Sequence, residues 1–128
     1  VLKAPDGVKT RVFEQIDNDK PGYHFVRAAE GEWREREPGV FAKLLYTDAG
    51  RQRVTALVRV EKGSRSTNHR HAQTEEFLVL EGSCYCGGRL MQKGDYHRAE
   101  AGSIHLDTRT EEGSLMLIIT SVQNEMLA

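Results

Sequence analysis

Only two cysteines, Cys84 and Cys86, occur in the 128 residues, too few for a scaffold built on disulfides. Their i, i+2 spacing in extended chain sits poorly for a bridge, and no second pair exists to complete a zinc tetrad. No apolar run approaches the roughly 20 residues that a membrane-spanning helix needs. The start, VLKAPDGVKT, lacks the apolar core of a signal peptide. Neither sign of charge dominates, since 18 Lys+Arg stand against 19 Asp+Glu for a formal net charge of −1. Without a basic stripe there is no electrostatic footprint for DNA or RNA. The expectation is a cytoplasmic protein with no membrane and no nucleic acid among its partners. Val1 in place of an initiator Met leaves open a processed start or the edge of a longer chain.

What is present reads almost throughout as strand. A chain of this length fits one domain, residues 1–128, and buries roughly two-thirds of the surface its unfolded form exposes. Strand signals begin at Arg11 to Ile16 and return at Phe41 to Tyr46, followed by a turn at Thr47-Asp48-Ala49-Gly50. From Gln52 to Val60, Val54, Ala56, Val58 and Val60 alternate with Thr55, Leu57 and Arg59, the period of two of a half-buried strand. Lys62 to Asn68 reads as a loop. Glu76 to Glu81, Ser83 to Cys86, Arg89 to Lys93 and Tyr96 to Ala99 are short strand candidates punctuated by glycines, a spacing of turns that suggests a sandwich or barrel. Leu115 to Thr120 is apolar on both alternating faces, which predicts cover on both sides. Arg27 to Glu37 is the one helix candidate, but with Gly31 in its middle and Trp33 as its single large apolar residue it reads equally as an irregular segment anchored by an indole.

The stretch NHRHAQTEEFLVLEG, residues 68 to 82, carries the chemistry. In extended chain His69 and His71 point to one side with Cα atoms roughly 6 to 7 Å apart, near enough for both rings to reach one ion. Glu75 keeps the same parity if the strand resumes there, and Glu76 points away. Two imidazoles and a carboxylate suit Fe(II), Mn(II), Ni(II), Cu(II) or Zn(II) better than Mg(II) or Ca(II). The plain alternative is a polar turn before a buried strand, because H-x-H alone is common.

The register around this stretch resembles the two motifs of the cupin superfamily. Gly63, His69, His71, Glu75 and Gly82 match the first motif over residues 63–82, and Gly94, Gly102 and His105 match the second over 94–105. Glu100 stands where the family usually has Pro, and Arg109 where it often has Asn. A looser similarity over WREREPGVFAKLLYTDAG and TALVRVEKGSRSTNHRH is like the cupin domain of ChrR-type anti-sigma factors. The resemblance implies an all-β, single-domain cupin, an antiparallel jelly-roll β-barrel with a metal ion in its mouth held by His69, His71, Glu75 and His105. Gly63, Gly82, Gly94 and Gly102 are expected where the chain turns between strands, since glycine alone adopts positive φ cheaply.

Three functions are compatible with that resemblance, and all take a small-molecule ligand or substrate. The first is a dioxygenase acting on a small diketone or phenol, with Fe(II) at the four ligands and Glu75 able to loosen and act as catalytic base. Mn(II), Ni(II) and Zn(II) are the other candidate ions. The second is a ChrR-like zinc-binding sensor, although the anti-sigma factors resembled carry a sigma-binding domain ahead of the cupin, whereas residues 1–62 here read as strands of the barrel. The third is a small-molecule isomerase. Cys84 and Cys86 are expected as buried or half-buried thiols, with redox chemistry as the alternative. His24 and His97 are expected as surface or hydrogen-bonded residues outside the ligand set. Arg53, Arg59, Arg70 and Arg109 would bind an anionic substrate only if they faced the interior, and a solvated face is their default. The apolar faces of Phe77 to Leu80 and Leu115 to Thr120 predict a homodimer formed through sheet faces or exchanged N-terminal strands.

Overall fold

The computed structural model describes residues 22–127. The strand expected at Arg11 to Ile16 lies outside them. The described chain falls into two units, the first ending at Glu30 and the second beginning at Gly31. In the first, a turn is closed by Glu30 N donating to Arg27 O at 2.9 Å and Arg27 N donating to the Glu30 carboxylate at 2.7 Å. No helix among the described residues is long and apolar enough to cross a membrane.

The second unit is an antiparallel jelly-roll barrel. Its strands are β1 (Trp33–Glu37), β2 (Val40–Asp48), β3 (Arg53–Val60), β4 (Arg65–Ser66), β5 (His69–Arg70), β6 (Glu75–Cys86), β7 (Arg89–Gln92), β8 (Tyr96–Ala99), β9 (Ile104–His105), β10 (Thr108–Arg109), β11 (Ser114–Ser121) and β12 (Glu125–Met126). The main sheet runs β1-β2-β3-β11-β6-β10-β4, with β7 and β8 also paired to β6, and β12-β5-β9 forms a smaller sheet. All the pairings are antiparallel.

The helix considered for Arg27 to Glu37 does not form. Its first part is a turn, and Trp33–Glu37 is β1, paired with β2. Mixed charges and a central glycine give a helix no apolar stripe, whereas a hairpin closed at Pro38-Gly39 satisfies the same backbone groups. Trp33 is anchored from its face, with the Arg59 guanidinium 4.2 Å from the ring centroid.

Strand β6 organises the barrel. The sequence pattern divides it at Gly82 into two strands, but the structure runs it unbroken from Glu75 to Cys86. Its first part pairs with β11 and β8, and its last residues pair with β7 and with Arg109 of β10. Between them the register against β11 slips, so that Leu115 faces Glu81 while Met116 faces Val79. This is a β-bulge, with Leu80 left over, and it turns the strand from one sheet into the other. Gly82 therefore serves the bulge rather than an inter-strand turn. Its φ is +71°, and an added Cβ would lie 2.0 Å from the Gly113 carbonyl oxygen. That oxygen accepts the Ser83 N–H at 3.1 Å, so the close approach is part of the pairing.

The bulge also decides which residues are inside. Glu75, Phe77 and Val79 are buried before it, and Cys84 and Cys86 after it. Val40, Val60, Phe77, Val79, Cys84, Cys86 and Met116 form the core, with Val58, Met91 and Ile118 packed on it. Burying an apolar side chain of this size contributes roughly 1.5–3 kcal/mol. Strand β11 is covered less than its composition predicts. Ser114, Met116 and Ser121 are buried, but Leu115, Leu117 and Ile119 are only half-buried. One face of the strand is therefore not fully closed by the described residues.

Candidate metal centre

Antiparallel pairing brings the two sequence motifs together. His69 of β5 stands directly opposite His105 of β9, and directly opposed residues share a face. The pairing is continued by His71 N donating to Ser103 O at 2.9 Å and Gly102 N donating to His71 O at 2.7 Å. Glu100, at the usual proline position, does not spoil the turn. Its carbonyl accepts both Ser103 N (3.1 Å) and Ser103 Oγ (2.6 Å), and Gly102 supplies a φ of +86°. On the other side, Arg53 fixes the loop that delivers Glu75, donating from one guanidinium nitrogen to Gln73 Oε1 (3.0 Å) and Thr74 O (2.7 Å).

The four expected residues converge. One donor atom from each of His69, His71, Glu75 and His105 lies within 4.8 Å of the others. His71, Glu75 and His105 are 1, 2 and 6 % exposed, and His69 is half-buried. Glu75 Oε2 is in direct contact with His71 Nε2, 3.3 Å from His69 Nε2 and 3.6 Å from His105 Nδ1. Glu76 points outward, accepting from Tyr96 Oη at 2.5 Å.

Backbone contacts set the imidazole tautomers. His71 Nδ1 donates toward Ser103 O and Ser103 Oγ, each at 3.0 Å, and His69 Nδ1 donates to Thr67 O at 3.1 Å. Each ring therefore turns its Nε2 toward Glu75, able to donate to the carboxylate or, once deprotonated, to present a lone pair to an ion, which is how metal-ligating histidines are usually oriented. Burial alone would raise the Glu75 pKa, but hydrogen bonds and charge interactions with His105, His69 and His71 reverse the direction and bring it to about 2. Burial depresses the pKa of His71 and so favours its neutral, ligating form. Burial acts the same way on His69, but its contacts with Glu75 and Thr67 outweigh it and raise the pKa. Three imidazoles and an ionised carboxylate aimed at one point are held together by shared protons or by a cation that replaces them. The donor set fits a borderline transition metal.

His97 does not stay apart from the site, as its sequence position suggests it should. It lies opposite Phe77 in the β6–β8 pair, and its Nε2 is 3.0 Å from His105 Nε2. Cys86 Sγ is 2.9 Å from the same His105 nitrogen. Cys86, His97 and His105 thus form a second cluster. The signal for His97 was its register with Phe77, which only the pairing supplies. Cys84 and Cys86 are both buried free thiols, their pKa values pushed by burial up to about 11 and about 12. A cavity of about 500 Å³ opens beside the second cluster, lined by Cys86, Met91, His97, Arg98, His105 and Leu106 among others.

The arginines considered as anion binders have other partners. Besides Arg53 and Arg59, Arg70 pairs with Glu125 at 3.1 Å, and Arg109 lies over the Tyr85 ring and meets Asp107 at 3.2 Å. His24 falls in the first unit.

Fold and donor arrangement define a cupin. The chain belongs to the ChrR cupin-like domain family, whose model matches residues 22–124. Its structure is similar to that of an acetylacetone dioxygenase from Acinetobacter johnsonii, with a TM-score of 0.76 at 16 % identity over 86 % of this chain and 81 % of that one. A putative acetylacetone dioxygenase from Methylibium petroleiphilum gives a TM-score of 0.77 at 18 % identity over 86 % and 84 %. The anti-sigma factor ChrR of Rhodobacter sphaeroides, solved in complex with SigE, gives 0.63 at 20 % identity over 94 % and 70 %. No curated protein sequence matches the chain.

Proposed function

We propose that this protein is a metal-dependent dioxygenase acting on a small diketone or phenolic substrate, with His69, His71, Glu75 and His105 holding the metal. The observation that carries this reading is the buried three-histidine, one-carboxylate cluster, whose His105 also lines a cavity of about 500 Å³. That volume lies within the roughly 300–1,000 Å³ of small-molecule sites. Likeness of fold to an acetylacetone dioxygenase supports the same reading. Iron(II) is the favoured ion, because held by four protein donors it would keep two places for substrate and dioxygen, and it would supply the redox chemistry.

The chain's own residues provide the rest. Met91, Ile104 and Leu106 give the cavity apolar walls for the hydrocarbon part of a substrate. Arg89, on the same cavity, favours an enolate or phenolate over its neutral form, while Arg98 beside it is paired with Glu100. Glu75 is held ionised and is a ligand first. Loosened from an ion, it would offer a carboxylate oxygen to take the proton of an enol or phenol.

A second reading, a ChrR-like zinc sensor, is favoured by the family match and by donor count, since the same four ligands close a tetrahedral zinc site. One experiment separates the two. Apoprotein is reconstituted anaerobically with Fe(II) and, in parallel, with Zn(II), and nitric oxide is added as a surrogate for dioxygen. The dioxygenase reading expects an iron–nitrosyl paramagnetic resonance signal that a 1,3-diketone perturbs. Iron protein that fails to bind nitric oxide, with tight four-coordinate zinc, sinks it in favour of the sensor.

A further inference from the structure

We propose that Cys86, His97 and His105 form a second metal site, selective for a soft or borderline ion such as Zn(II) or Cu(I), on the cavity side of the His105 ring. Its donors are the Cys86 thiolate and the Nε2 atoms of His97 and His105. This goes beyond the reading of the first cluster, which contains no sulfur.

Geometry is the first support. Cys86 Sγ and His97 Nε2 approach His105 Nε2 to 2.9 and 3.0 Å, and the three donors lie within 4.8 Å of one another. Donors on a tetrahedral zinc, with metal–sulfur bonds of about 2.3 Å and metal–nitrogen bonds of about 2.05 Å, stand roughly 3.3–3.6 Å apart. Two of the spacings fall a few tenths of an ångström short of that range and the third is within 4.8 Å, so small side-chain rotations admit an ion. All three residues line the cavity, which gives an ion a route in and leaves the fourth position facing open space. Arg89 lines it too, which favours an anionic or water-derived fourth ligand, whereas Arg98 is already paired with Glu100 at 3.1 Å.

Chemistry is the second support. Cys86 is a buried free thiol. An ion replaces the thiol proton, which passes to water through the cavity. Thiolate and imidazole donors select soft and borderline metals over Mg(II) and Ca(II).

The two clusters are linked through one ring. His105 presents Nδ1 to His71, at 3.0 Å, and Nε2 to Cys86 and His97. A neutral imidazole has one free lone pair, so His105 serves one ion at a time unless it loses its remaining proton and bridges both.

The test is an anaerobic titration of the metal-free full-length chain with Co(II), followed by absorption. Cobalt bound to thiolate gives a charge-transfer band in the near ultraviolet, which cobalt on histidine and carboxylate alone lacks. The wild type is expected to show that band. Cys86→Ser should abolish it while keeping the weaker visible bands of cobalt on the first cluster. His97→Ala should weaken the affinity read from the band by about tenfold or more. Cys84→Ser, a buried thiol outside the cluster, should retain it. Far-ultraviolet circular dichroism reports whether each variant folds, and if Cys86→Ser does not, His97→Ala decides. A wild type showing only the visible bands overturns the second site and leaves the first intact. A sulfur band that survives Cys86→Ser or is untouched by His97→Ala overturns it as well. A sulfur band that persists in His69→Ala upholds the second site even if the first cluster proves not to be the metal's seat.

Discussion

His69 and His71 are each held by a neighbour outside the donor set, Thr67 and Ser103, and the two roles predict different losses. Removing an imidazole from a four-donor site takes away a ligand and leaves Glu75 buried with one fewer partner. His69→Ala, His71→Ala and His105→Ala should therefore each lower metal affinity by more than the roughly 10–100-fold that loss of an outer hydrogen-bond partner costs. Metal stoichiometry after dialysis reads this directly. Glu76→Gln should bind as the wild type does, since Glu76 faces outward to Tyr96. Ser103→Ala lies between, because the Ser103 carbonyl remains to orient His71 Nδ1 when the hydroxyl is gone. A loss below about tenfold is expected. Full metal retention by His105→Ala would remove the second motif from the site.

At the scale of elements, the pleat's period of two explains both what the sequence revealed and what it hid. His69, His71 and Glu75 could be placed on one face by parity, and the two motifs supplied His105. Cys86 could not be placed that way. It lies at an odd offset from Glu75, and simple alternation puts it on the outer face of β6. The bulge at Leu80 uses up one residue and returns Cys84 and Cys86 to the interior. His97 was hidden for a related reason, since only the β6–β8 register sets it beside Phe77. The strand Trp33–Glu37 was obscured because propensity favoured neither helix nor strand, and pairing with β2 decided the matter. The bulge makes a sharp prediction about glycine. Gly82→Ala forces a side chain into positive φ and against the Gly113 carbonyl, and should destabilise by more than about 2 kcal/mol. Gly63, at φ +80° with open space around it, carries only the backbone strain, and Gly63→Ala should cost about 1–2 kcal/mol. Urea midpoints of the two variants test the ranking, and equal losses would mean that the close approach at the bulge is relieved elsewhere.

For the whole molecule, an ion bound only by the folded state adds stability by mass action. At free metal about 1,000 times its dissociation constant the gain is roughly 4 kcal/mol, so chelation should lower the melting temperature by roughly 10 °C or more. The outer surface carries the remaining prediction. Leu78, Tyr96, Leu117 and Ile119 meet in a shallow apolar depression on the outside of the β8-β6-β11 sheet, and Tyr96 is 55 % exposed. A single barrel needs only its inner face apolar, so an outer face of this composition calls for cover. The predicted cover is a second copy of the chain across the sheet faces, burying at least about 1,200 Å² in total. Light scattering at micromolar concentration should give the mass of a dimer. Leu117→Glu places a charge on that face and should yield monomers with unchanged circular dichroism and unchanged metal content, because the metal cluster lies on the opposite side of the strand pleat. A wild type that is monomeric under the same conditions would refute the dimer and leave this apolar face to a different partner.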